Sequence, residues 1–137
     1  MGLDNGVYVK SNKRKITREI LPAGIKYPFD KDYEDSPEII YHRKDWGWRT
    51  DIMNSFGWRT LSPDQWEFEI ETPEQVLDLI ELTAKWLDKD RWEEEGDSIW
   101  EFDEEKYFLV RDIANLAIIY GFMKENPDVY LEFYDSY

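Results

Sequence analysis

Residues 66–71 read Trp-Glu-Phe-Glu-Ile-Glu, and the next four are Thr72-Pro73-Glu74-Gln75. Successive side chains of an extended chain point to opposite faces, so this run sends its apolar groups one way and its carboxylates the other. That is the pattern of a half-buried strand. Thr72 followed three residues later by Gln75 is a capping box, and Pro73 is preset for the first helical position. A strand that needs cover on one side only therefore passes almost at once into a helix. The spacing predicts that this helix runs to about Asp88, with Val76, Leu77, Ile80, Ala84 and Leu87 on its apolar face.

The remaining elements fit around that unit. Gly6 to Lys10 reads as a short strand after the Asn5-Gly6 turn signal, Ser11-Asn12-Lys13 as a turn, and Ile16 to Leu21 as a second strand. Residues 1–26 are thus expected to form a basic N-terminal hairpin. Ser36-Pro37-Glu38 carries a cap residue and a proline in the first-turn position, predicting a helix to about Phe56 that Gly57 stops. Gly47 weakens it by roughly 1 kcal/mol relative to Ala, so two shorter helices are an alternative. Asp103 is expected to cap a third helix over 104–124. Its marks Leu109, Ile113, Leu116, Tyr120 and Met123, widened by Ala117, Ile118 and Ile119, make it the central buried helix. Asn126-Pro127 stops it, and 129–134 alternates as a final strand. Phe68, Ile80, Leu109, Ile113 and Leu116 are the expected core. The whole is one α+β domain over 1–137, a small and mostly antiparallel sheet with about three helices packed on one face.

Charge and composition exclude several functions. The chain has a net charge of −14 and no Cys, which rules out disulfides and thiolate metal sites. It holds no run of about 20 apolar residues, so no membrane span is expected, and Met1 to Lys10 lacks the apolar core of a signal peptide. A cytoplasmic location follows as the expectation. Residues 1–26 hold six basic groups against two acidic ones, a balance of +4, which leaves −18 for the other 111 residues. Between 67 and 105 there are sixteen acids against three bases, with the acidic loop 88–98 at the centre of the run. Such a field repels duplex DNA and anionic lipid, and attracts a basic protein surface.

Chemistry-bearing motifs are scarce. His42 is the one histidine, and on a helix its neighbours would include Glu38, Asp45 and Trp46, a setting closer to a packed histidine than to a general base. Asp30-Lys31-Asp32-Tyr33-Glu34-Asp35 begins like a calcium loop, but Asp35 and Tyr41 stand where Gly and Glu are required. There is no phosphate loop, dinucleotide fingerprint or nucleophile elbow, so no catalytic residue, metal or cofactor is assigned. The least ordinary feature is an echo, since Gly47-Trp48-Arg49-Thr50 recurs as Gly57-Trp58-Arg59-Thr60. Trp and Arg dominate binding hot spots, so Trp46, Trp48, Arg49, Trp58 and Arg59 are candidates for a ligand or partner site, the arginines suiting an anion. Core packing of the tryptophans with Arg stacked over them is the other reading of the echo. A second candidate surface is the acidic set Glu93, Glu94, Glu95 and Asp97.

Met1-Gly2-Leu3-Asp4 before a short strand, the set Glu38, Tyr41, Arg43 and Lys44, and the ending Phe133-Tyr134-Asp135-Ser136-Tyr137 together resemble a family of small phage and prophage proteins. Members of that family begin Met-Gly-Leu-Asp-Met-Tyr-Leu and carry the Glu-Tyr-Arg-Lys set on a helix. This chain departs from it at Asn5-Gly6 and at His42, where an aromatic Trp is common. The resemblance implies an accessory protein working inside a host cell, and brings no catalytic residues with it. Three functions remain open on these grounds. One is a non-enzymatic acidic module that occupies a basic site on a host or phage protein, with nucleic-acid-handling and defence proteins as natural targets. Another is a small-molecule or nucleotide binder or enzyme built on 46–60. The third is an assembly subunit.

Overall fold

The computed structural model describes residues 4–32, 36–43, 51–52, 54–56, 59–62, 65–88 and 99–136. Five strands, β1 (Asp4–Ser11), β2 (Glu38–Arg43), β3 (Arg59–Ser62), β4 (Gln65–Ile70) and β5 (Val129–Ser136), form one sheet in the order β2-β1-β5-β4-β3. Every neighbouring pair is antiparallel. A short helical stretch at residues 51–52 and 54–56, here α1, precedes β3. Helix α2 covers Pro73–Lys85 and helix α3 covers Ile99–Glu125. The α+β class and the antiparallel sheet follow the sequence reading.

Register explains which side chains are inside. Val7 lies opposite Phe133, Val9 opposite Leu131, and Phe68 and Ile70 opposite Phe133 and Leu131 on the other side of β5. These six are buried and form the sheet's contribution to the core. The alternating partners Tyr8, Lys10, Tyr130, Glu132, Tyr134, Glu67 and Glu69 face the other way, as period-two geometry demands. A β-bulge between Val7 and Tyr8 places Ile40 opposite Val7 but Glu38 opposite Tyr8, leaving Ile39 as the extra residue. Ile39 and Ile40 are consecutive yet both fully buried, because the bulge turns both inward.

The predicted helix from Ser36 is overturned, since Glu38–Arg43 is strand β2. The cap-like Ser36-Pro37 instead brings the chain to the sheet, where the Pro37 carbonyl accepts the Val9 N–H at 2.9 Å. Extended backbone suits the fixed φ of proline as well as a first helical turn does, and the β-branched Ile39-Ile40 pair favours the strand. Glu38, Tyr41 and Arg43, expected on a helix from the phage-protein resemblance, lie on this strand. The second strand of the N-terminal hairpin is also overturned. Residues 18–20 form a turn, with Ile16 and Leu21 anchored in the core on either side of it. β1 pairs with β2 and β5 instead, the next strand along the chain and the last one.

The capping box at Thr72 and Gln75 forms as read. The buried face of α2 is rotated from the one the apolar spacing picks, while in α3 the predicted Leu109, Leu116, Ile119 and Met123 are buried together with polar residues the spacing does not pick. In α2 the buried residues are Val76, Leu79 and Thr83, with Trp86 just beyond, while Leu77 is 45% exposed. Thr83 tolerates burial because its hydroxyl donates to the Leu79 carbonyl at 2.7 Å, and Trp86 because its indole N–H donates to Asp51 of α1 at 2.9 Å. In α3, which starts before the expected cap Asp103, the buried stripe is Leu109, Asp112, Asn115, Leu116, Ile119 and Met123. Ile113 and Ile80 are half-buried at its margin. Phe56 of α1 stacks on Phe68, which stacks on Phe133 at 4.7 Å, so α1 closes the core over β4 and β5.

Candidate functional site

The side of the sheet away from the helices carries a patterned surface. The Tyr8 and Tyr134 rings stack at 5.1 Å between centroids, and the Tyr134 hydroxyl donates to Glu38 Oε1 at 2.8 Å. The Tyr134 ring lies over Gly6, where a Cβ would fall within 2.7 Å of its edge. One row further along, Tyr8, Glu132 and Glu69 are consecutive cross-strand partners, which sets two carboxylates directly opposite each other on β5 and β4. Lys10 reaches Glu132 at 3.1 Å and lies 5.7 Å over the Tyr8 ring. Tyr130 sits beside them. Burial raises its phenol above the usual range, and the charges of Glu69, Glu132 and Glu67 add to this against the lowering effect of Lys10. Burial, followed by the charge of Glu38, lifts the Tyr134 phenol much further. Among the described side chains this face combines Tyr8, Tyr41, Tyr130 and Tyr134 with Glu67, Glu69 and Glu132, and Lys10 is paired with Glu132 on it.

A second polar group lies inside. His42, Asn5 and Asp135 are register neighbours across β2, β1 and β5 on the helix-covered face, and all are buried. His42 Nε2 meets Asp112 Oδ2 of α3 at 2.5 Å, with the two side chains 3% and 0% exposed. Arg111 approaches the other Asp112 oxygen at 3.7 Å and lies over the Phe108 ring. A carboxylate on one ring nitrogen is the arrangement that orients a histidine base. At this depth it serves a different end, tying α3 to β2 across the core. Asn115 does the same one turn later, donating to the Ile39 and Lys26 carbonyls and accepting the Lys26 N–H. The partner of His42 is therefore 70 residues away, where the sequence offered Glu38 and Asp45. The signal that could have found it is the pair Asp112 and Asn115, polar residues spaced within the apolar stripe of a long helix.

Part of the basic N-terminal segment is paired with the chain's own acids. Arg14 binds Asp128 and Asn126, and Arg18 grips Asp32 while donating to the Phe29 and Asp30 carbonyls. Arg18 also stacks over Tyr27 at 4.1 Å. Of the sequence-predicted site residues, Trp46, Trp48, Arg49 and Trp58 lie outside the described residues, as do Glu93, Glu94, Glu95 and Asp97. Arg59 opens β3, with its backbone opposite Glu67. Among the described residues no group of three His, Asp or Glu is placed to hold a metal ion, and no helix is long and apolar enough to cross a membrane. No protein-family model, curated protein or solved structure matches the chain.

Proposed function

We propose that this chain is an accessory protein of phage or prophage type that works without catalysis, as an acidic module occupying a basic site on a host or phage protein. The observation that carries the reading is the sign and spread of its charge. Of a net −14, the first 26 residues hold +4, with Arg14 and Arg18 paired to Asp128 and Asp32, and the other 111 residues hold −18, so acids dominate the charge that the chain brings to a partner. On α2 and its flanks the exposed side chains include Glu71, Glu74, Asp78, Glu81 and Asp88 against Lys85. A small domain needs a net charge of only about 2–8 for solubility. The excess steers association with an opposite surface and suppresses binding to nucleic acid. The burial of His42 and Asp112 supports the non-catalytic reading, because the best-oriented base in the described part of the molecule faces its interior.

A pull-down from host lysate at low and high salt tests this. A basic partner that is retained at low salt, lost at high salt and weakened when Glu93, Glu94 and Glu95 are changed to Gln is the expected result. A partner that survives high salt and ignores the triple change would show that charge is not what is recognised.

A further inference from the structure

We infer that the His42–Asp112 contact is a pH-sensitive lock between α3 and β2, charged and closed in neutral solution and released as the imidazole loses its proton on the alkaline side. The lock is a property of the interior and does not depend on what the acidic surface binds.

The chain has one histidine and no cysteine. Among side chains at their ordinary values, the imidazole is therefore the one that changes charge between about pH 5 and 8. It is spent in the interior, where His42 is 4% exposed and its Nε2 lies 2.5 Å from Oδ2 of the fully buried Asp112. Burial alone favours a neutral ring, and an adjoining carboxylate favours the imidazolium, so the surroundings decide. From α3, Asp112 touches the ring, and Arg111 stands 3.7 Å from the other Asp112 oxygen. From β1 comes the neutral Asn5, and beyond it on β5 the buried Asp135, both in the register row of His42. On β2 itself, Arg43 follows with its backbone opposite Asp4, and Glu38 is bonded to Tyr134. Among the described groups of the helix-covered row, two carboxylates thus face one permanent cation, Arg111. A neutral ring leaves that cluster with surplus negative charge in the interior, whereas an imidazolium balances it, and an uncompensated buried charge is the costlier state. Asp112 also depends on the ring directly. Its Oδ1 makes no hydrogen bond among the described residues, so His42 supplies the one the carboxylate has. The neighbouring tie, Asn115 to the Ile39 carbonyl at 3.0 Å, does not titrate. Because the folded surroundings favour the proton, the contact contributes fully below the ordinary histidine value of about 6.5 and is lost as pH rises through the ring's midpoint in the folded chain.

A single histidine makes the test direct, since the imidazole nitrogens of the 15N-labelled full chain give one set of signals whose positions report the ring's charge. The ring is followed from about pH 5.5 to about pH 9, below the onset of tyrosine ionisation near pH 10, and urea midpoints are measured over the same range for the parent, His42→Gln and Asp112→Asn. The expected ring is still doubly protonated at about pH 7.5, where a free histidine is mostly neutral. The parent's urea midpoint should fall toward alkaline pH, its unfolding equilibrium constant rising about tenfold for each pH unit between the ring's unfolded and folded midpoints. His42→Gln keeps a hydrogen-bonding side chain that does not titrate, and the α-amino group is common to both chains, so its midpoint should stay nearly level. In Asp112→Asn the ring should lose its proton at lower pH than in the parent. A ring already neutral at about pH 7, or parallel pH profiles for the parent and His42→Gln, would overturn the lock. A ring that titrates identically in the parent and Asp112→Asn would overturn Asp112 as the group that holds the proton. Should either variant fail to fold, the parent decides alone, because a ring charged at neutral pH with a falling midpoint upholds the lock and a level midpoint overturns it.

Discussion

A Cβ added at Gly6 would lie 2.6 Å from the Ile40 carbonyl oxygen, 2.6 Å from Glu38 Oε1 and 2.7 Å from the Tyr134 ring. The first of these is backbone in the adjoining strand and cannot swing aside. Gly6→Ala should therefore cost about 1–3 kcal/mol, the scale of overpacking, and disturb the Tyr8–Tyr134 stack. Urea unfolding checks the magnitude, and an unchanged midpoint would mean the strands part more easily than the register suggests. Inside, Asp112→Ala removes the partner of His42 and should cost about 3 kcal/mol, because breaking a buried pair leaves its other member stranded. The double change H42L/D112L should cost less than Asp112→Ala alone, since neither polar group is then left behind. Tyr134 adds a pH dependence. Burial and the Glu38 carboxylate raise its pKa in the folded chain, so the folded state holds a proton that the unfolded chain releases near pH 10. Its contribution is complete below about pH 10 and is lost as pH rises further. Urea midpoints measured from neutral pH upward should fall less steeply for Tyr134→Phe than for the parent, and identical slopes would remove the linkage.

Helix α3 shows how far the sequence can be read at the level of an element. Its existence was legible from the apolar spacing, as were the capping box of α2 and the alternation in β4 and β5. Its buried face was legible in Leu109, Leu116, Ile119 and Met123 but not in Asp112 and Asn115, which occupy inward positions that a hydrophobic pattern scores as outward. Thr83 hides the face of α2 in the same way. β2 was misread because Ser36-Pro37 suits a helix start and a strand start alike, and only its pairing with β1, more than thirty residues upstream, decides between them. The stacked tyrosine face was illegible for a related reason. Tyr8, Glu38, Tyr130 and Tyr134 come together through three strands and one bulge, and no local spacing announces that. Gly121 offers a clean test of the helix itself. A Cβ there meets nothing within 4 Å, so Gly121→Ala should stabilise by about 1 kcal/mol, the difference in helix propensity. Thermal unfolding reads this directly, and destabilisation would mean that another surface covers α3 at this point.

Across the whole molecule the division of labour is between two faces of one sheet. The helix-covered face holds the apolar core and is locked by His42–Asp112 and Asn115. The other face carries Tyr8, Tyr41, Tyr130 and Tyr134 beside Glu67, Glu69 and Glu132. The field of a net charge of −14 on 137 residues has a range of about one Debye length, roughly 8 Å at physiological salt. Recognition by charge must therefore weaken as salt shortens that length. The most direct test of the account is fluorescence anisotropy with a labelled Lys-Arg repeat peptide and, in parallel, a labelled DNA duplex, each titrated with the full chain across a salt series. The account predicts that the peptide binds at low salt and is released as salt rises, while the duplex does not bind at any salt. Binding of the duplex, or peptide affinity indifferent to salt, would contradict it.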